Sequence, residues 1–133
     1  MANTTFTGPV RSQNGFQSVT KNATTGAVTV NSSFGTDVVL SVQSLSGAGA
    51  VDVTNAYTSL TTTGAAQALT LANGSVGEIK VITHTVDGGS AVLTPTTKIG
   101  FSTITFTAVG DSATLVYTAA GWAVVGSKGV TIA

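Results

Sequence analysis

From Phe101 to Ile132 the chain alternates apolar and polar residues in short runs. Ile104 and Phe106 share one face, with Thr103, Thr105 and Thr107 opposite; Ala113, Leu115 and Tyr117 share another, after Gly110-Asp111. Trp122, Val124 and Val125 follow Ala119-Ala120-Gly121, and Val130 and Ile132 follow Gly126-Ser127-Lys128-Gly129. A period of two bounded by turn residues predicts half-buried β-strands with tight connections. Upstream, Val28 and Val30 alternate with Ala27 and Thr29, and Val38, Val39, Leu40 and Val42 form a more apolar run. Val51 and Val53, then Leu69 and Leu71, continue the series. Ala65 to Leu71 has some helical propensity, but it is short and uncapped and meets Asn73-Gly74, so a strand is expected. In 77–85 Ile79, Val81 and Thr83 lie on one face and Lys80, Ile82 and His84 on the other. Asp87-Gly88 predicts a hairpin to a return strand over 90–93, ended at Pro95, which cannot donate to a ladder. Strands at intervals of roughly ten residues fit an all-β fold, an antiparallel β-sandwich or barrel.

Residues 1–25 depart from this pattern. Phe6, Val10, Phe16 and Val19 are too widely spaced for one strong strand, and Gly8-Pro9 and Asn14-Gly15 are turn signals. An extended N-terminal arm over 1–25 and a β-body over 26–133 are expected. Spaced Phe and Val residues suit an arm that docks on something else better than a solvated tail.

Composition sharpens the picture. Charged residues make up only 8% of the 133, against roughly 25% in an ordinary soluble domain, so the solvent faces must be built of Thr, Ser, Asn, Gln and Gly. There are 25 Thr and 18 Val, both β-branched and suited to a pleated surface. Net charge is zero, which offers no footprint for nucleic acid and little self-repulsion, favouring association. Cysteine is absent, which excludes disulfides and thiolate metal sites. The N-terminus carries no secretory h-region, and no run approaches the ~18 apolar residues of a membrane span. The expectation is synthesis in the cytoplasm and, if the protein leaves, exit by another route such as lysis.

Residue chemistry points away from catalysis. His84 is the only histidine, and no G-x-S-x-G motif accompanies it; an exposed or half-exposed strand face is expected for it. Of the acids Asp37, Asp52, Glu78, Asp87 and Asp111, Asp87 and Asp111 stand beside turn glycines, where aspartate serves the backbone. No EF-hand or similar ligand spacing occurs, and no cofactor is expected. Ser46 to Ala50 is glycine-rich but lacks the lysine of a phosphate loop. Tyr117 and Trp122 could stack on a sugar or base; among Val and Leu they are expected to pack in the core or between chains.

Two stretches carry a resemblance: TTFTGPVRSQNGFQSVTKNATTGAV at the start, and GEIKVITHTVDGGSAVLTP with the following STITFTAVGDSATLVYTAAGWAVVGSKGV. Together they resemble small virion proteins of tailed bacteriophages, particularly marine phages, and among these the capsid decoration (cement, or head-fibre) proteins. The resemblance implies a non-enzymatic structural protein on the capsid exterior. It implies an N-terminal arm that anchors on the major capsid protein and a β-rich, usually trimeric body. The arm role falls on Phe6, Gly8, Pro9, Val10, Arg11, Asn14, Gly15 and Phe16, with Phe6, Pro9, Val10, Arg11 and Phe16 as capsid contacts; the body role falls on 77–130. Residues 36–70 lie outside the resemblance. The second pattern recurs in phage fibres, so the alternative is a fibre or adhesin module binding host-surface glycans. The chain's shortness, without a shaft, favours the decoration protein; an exposed aromatic cluster would favour the adhesin.

Overall fold

A computed structural model describes residues 16–34 and 38–133, and every regular element in them is a β-strand. The chain divides into two compact units, Met1–Leu40 and Ser41–Ala133.

The first unit holds a three-stranded antiparallel sheet of β1 (Phe16–Lys21), β2 (Val28–Phe34) and β3 (Val38–Val39), with β2 central. The β1–β2 turn is built on Asn22, whose Oδ1 accepts the N–H groups of Thr24 and Thr25, each at 2.9 Å. Gly26 completes it with φ of 71°, a conformation glycine adopts without steric cost. The arm–body boundary expected at 25/26 therefore falls inside a hairpin turn, and the compact units part at Leu40/Ser41 instead.

The second unit is a two-sheet sandwich. Its strands are β4 (Val42–Ser46), β5 (Gly49–Val51), β6 (Tyr57–Thr61), β7 (Gln67–Leu71), β8 (Ile79–Val86), β9 (Ala91–Pro95), β10 (Ile104–Phe106), β11 (Ser112–Thr118), β12 (Gly121–Lys128) and β13 (Thr131–Ile132). One sheet has the order β12-β11-β8-β6-β4 and the other β13-β10-β9-β7-β5. The all-β sandwich expected from the alternation is present, but its sheets are mixed rather than antiparallel. β4, β6 and β8 are parallel neighbours in one sheet, and β5, β7 and β9 in the other. From β4 to β9 the chain crosses to the opposite sheet after every strand. This path makes three coils of a flattened solenoid. The antiparallel strands β10 to β13 then extend both sheets on one side.

The predicted Asp87-Gly88 hairpin is accordingly an arch: β8 and β9 lie in different sheets. The cause is close backbone approach. Gly88 and Gly89 lie against the backbone of Thr62, Gly64 and Ala65 in the arch of the preceding coil, where a Cβ on Gly89 would come within 2.5 Å of Gly64. Thr62 fastens the two arches, its Oγ1 accepting from Gly88 N at 2.8 Å and donating to Gly89 O at 2.8 Å. The strand expected over 65–71 is β7, and the turn after Thr118 is a true hairpin joining β11 to β12.

One apolar core fills the space between the two sheets. Leu60, Ile82, Ala113, Leu115 and Trp122 face Val51, Leu69, Leu71, Ala91, Leu93, Ile104 and Phe106 across it. In register, Leu69, Leu93 and Ile104 form one cross-strand row.

Candidate functional site

The N-terminal sheet presents an unusual surface for its size. Val19 pairs with Val30, and Lys21 with Val28, so these four residues share one face. Thr20, Thr29 and Asn31 lie on the other, where Asn31 Nδ2 donates to Thr20 Oγ1 at 2.8 Å. Val19, Val28 and Val30 are 48%, 58% and 49% exposed. A sheet of three short strands gains its stability by burying an apolar face, and here the described valines of that face keep about half of their surface exposed. Of the residues assigned to capsid contact, Phe6, Pro9, Val10 and Arg11 lie outside the described residues. Phe16 opens β1, its backbone paired with Phe34.

In the second unit an apolar groove of about 430 Å³ is lined by Ile99, Gly100, Phe101, Ala123, Val124 and Ile132. The 98–99 segment is held beside β12 by Ile99 N donating to Trp122 O at 3.0 Å. Ile99 and Ile132 remain partly exposed at its rim.

Tyr117 and Trp122 stack edge to face, with centroids 5.1 Å apart. Trp122 is fully buried and its Nε1 donates to Ala72 O at 2.8 Å. The pair is core packing, as the surrounding Val and Leu residues predicted.

His84 corrects the sequence reading: it is fully buried, not exposed. The alternation in β8 separated its two faces correctly, but the inward face is Lys80, Ile82 and His84. Thr62 Oγ1 lies 3.0 Å from His84 Nε2. Since that hydroxyl donates to Gly89 O and accepts from Gly88, Nε2 carries the proton and donates to it. Nδ1 has no hydrogen-bond partner among the described residues. The backbone at His84 joins the Asp111 turn, with His84 N donating to Asp111 O and Gly110 N to His84 O, both at 2.8 Å.

Both turn aspartates do what their positions predicted. Asp87 Oδ1 accepts from Gly89 N at 2.8 Å. Asp111 Oδ2 accepts from Thr107 N at 2.8 Å, Ala108 N at 3.0 Å and Thr107 Oγ1 at 3.3 Å. The Thr107 backbone bond foremost holds the Asp111 carboxyl below the ordinary 3.8, against the opposing effect of burial.

Sequence reasoning passed over a third cluster. Lys80 is 0% exposed, and its Nζ donates to Asn55 O at 2.6 Å and lies 3.6 Å from Asp52 Oδ1. Asp52 Oδ1 also accepts from Asn55 N, and Asp52 Oδ2 from Asn55 Nδ2, both at 2.8 Å. Burial pushes the Lys80 amine below its ordinary 10.5, with Asp52 pulling the other way. Burial raises the Asp52 carboxyl, but the Asn55 hydrogen bonds and Lys80 outweigh it and leave the group below 3.8. The available signal was a lysine on the same strand face as Ile82. Its partners stand 25 and 28 residues upstream, in the β5–β6 arch. Among the described residues no three His, Asp or Glu side chains gather as a metal would require.

The chain matches no family model and no curated protein.

Proposed function

We propose that the protein is a non-enzymatic structural component of a tailed-phage virion, a decoration protein on the capsid exterior. In this reading the N-terminal unit docks on the major capsid protein and the sandwich stands on the shell as a homotrimer. The observation that carries it is the open apolar face of Val19, Val28 and Val30 on a sheet with no core beneath its described side chains. Val19 lies within the 1–25 arm that the resemblance implies, and Val28 and Val30 follow directly after it. The second unit supports the division of labour, because among the described residues its core draws only on 41–133.

Docking would bury the remaining exposed half of each valine, worth roughly 1 kcal/mol apiece. That is weak for one chain. Three sheets tethered to one trimer bind far more strongly through effective concentration. The groove at Ile99, Phe101, Val124 and Ile132 is the face offered to a second copy. Tyr117 and Trp122, the two rings considered for stacking on a sugar, pack on each other at the core instead, so they lend no support to the glycan-binding adhesin.

The test is co-sedimentation with undecorated capsids. The full chain is expected to decorate them, and the chain lacking residues 1–40 to remain in the supernatant while retaining its β-sheet circular dichroism. Decoration at full occupancy by the truncated chain would remove the N-terminal unit as the anchor.

A further inference from the structure

Lys80, Asp52 and Asn55 form a buried amine, a carboxylate and a carboxamide in one connected cluster. The amine donates to Asn55's own backbone carbonyl oxygen, so Nζ is held at the residue that carries the carboxamide. Asp52 bridges the other two, with one oxygen toward Nζ and the other bonded to the carboxamide nitrogen. A lysine at 0% exposure that meets one partly exposed carboxylate at 3.6 Å gains little from a simple ion pair, because desolvating an ammonium costs several kcal/mol.

We infer that this cluster is a self-processing site, in which Lys80 Nζ and Asn55 Cγ join in an intramolecular amide (isopeptide) bond with Asp52 as the proton carrier. Asp52 takes a proton from the Lys80 ammonium, and the freed nitrogen lone pair adds to Asn55 Cγ. Asp52 passes that proton to Asn55 Nδ2, to which it is already hydrogen-bonded, and the Cγ–Nδ2 bond breaks to release ammonia. The second proton that Nζ sheds on becoming an amide nitrogen passes through Asp52 to the ammonia, which departs as ammonium. Lysine ammonium plus carboxamide give a secondary amide plus ammonium ion, so atoms and charge balance without an oxidant or co-reactant. The side chain loses its positive charge, which removes the cost of holding that charge in the core. Burial that favours the neutral amine acts in the same direction. Fixed proximity supplies most of the acceleration, and the carboxylate supplies proton transfer. The product links the β5–β6 arch covalently to β8, across two coils of the solenoid.

The test is a peptide map of the folded full chain, aged and then digested with trypsin under denaturing conditions. The basic residues are Arg11, Lys21, Lys80, Lys98 and Lys128, so an unlinked chain gives peptides 22–80 and 81–98. The linked chain gives one peptide, 22–98, resistant to cleavage after Lys80 and lighter than its sequence by one ammonia. Fragmentation is expected to show no backbone ions from within 55–80. Lys80→Met and Asn55→Ala should abolish the mass loss, and Asp52→Ala should slow its appearance at least about tenfold. Quantitative cleavage after Lys80 in the wild-type chain overturns the inference, whether or not any variant folds. Loss of water in place of ammonia would move the bond to Asp52 and overturn the assignment to Asn55. Ammonia loss with Lys80 still cleavable would mark a succinimide at Asn73-Gly74 instead, and also overturns it.

Discussion

At Asp111 a single carboxylate holds the β10–β11 turn together through three hydrogen bonds on one oxygen. Its pKa lies below 3.8 in the folded state, so the unfolded chain binds the proton more readily. The resulting stabilisation is complete above the unfolded value and is lost as pH falls through the folded one. Urea denaturation is expected to show wild-type stability falling below about pH 4. Asp111→Asn should flatten that decline and cost about 1–3 kcal/mol at neutral pH. Trp122 is the residue with most to lose by truncation. Trp122→Ala should cost about 3–5 kcal/mol, because it opens a cavity between the sheets and strands the Ala72 carbonyl. His84→Ala empties a buried site and removes one of the hydrogen-bond partners of Thr62, so a lowered unfolding midpoint in thermal denaturation is expected.

Among the elements, the arches decide the fold more than the strands do. A chain leaving β8 through Asp87-Gly88-Gly89 could turn back on itself as a hairpin. It crosses to the other sheet because the two glycines let its backbone lie directly on the arch of the coil before. Gly89 has φ of 138°, in a region that side chains rarely adopt. Gly89→Ala should therefore combine backbone strain with a backbone clash and cost about 2–3 kcal/mol. Hydrogen exchange should report the loss at Thr62 and Gly88, whose N–H groups bond between the arches. A variant as stable as wild type would show that this stacking is loose.

For the molecule as a whole, two compact units imply separable stability. Among the described residues the apolar core lies wholly within 41–133, so deleting residues 1–40 should leave the midpoint of the body's unfolding unchanged in a calorimetric scan. Self-association is expected to depend on the groove instead. Ile99→Asp places a charge on its rim, and light scattering should find the proposed homotrimer shifted toward monomer with the monomer still folded. The unchanged oligomer would direct attention to another face.

Much of this was legible in the chain. Alternation at Ile104–Phe106, Ala113–Tyr117 and Ile79–His84 is a local property of a pleated backbone, so strand positions and the all-β class followed from it. Asp87 and Asp111 followed from the chemistry of their own neighbouring backbone groups. Tertiary structure alone decided the rest. Alternation gives a strand two faces but does not say which is buried: Lys80 and His84 turn inward because Asn55, Asp52 and Thr62 meet them from other coils. Parallel pairing was hidden for a related reason. Val42 pairs with Tyr57, and Tyr57 with Val81, spacings of 15 and 24 residues that leave no repeat to read. Whether a turn closes a hairpin or an arch depends on backbone arriving from a distant part of the chain, and that is information only the folded molecule contains.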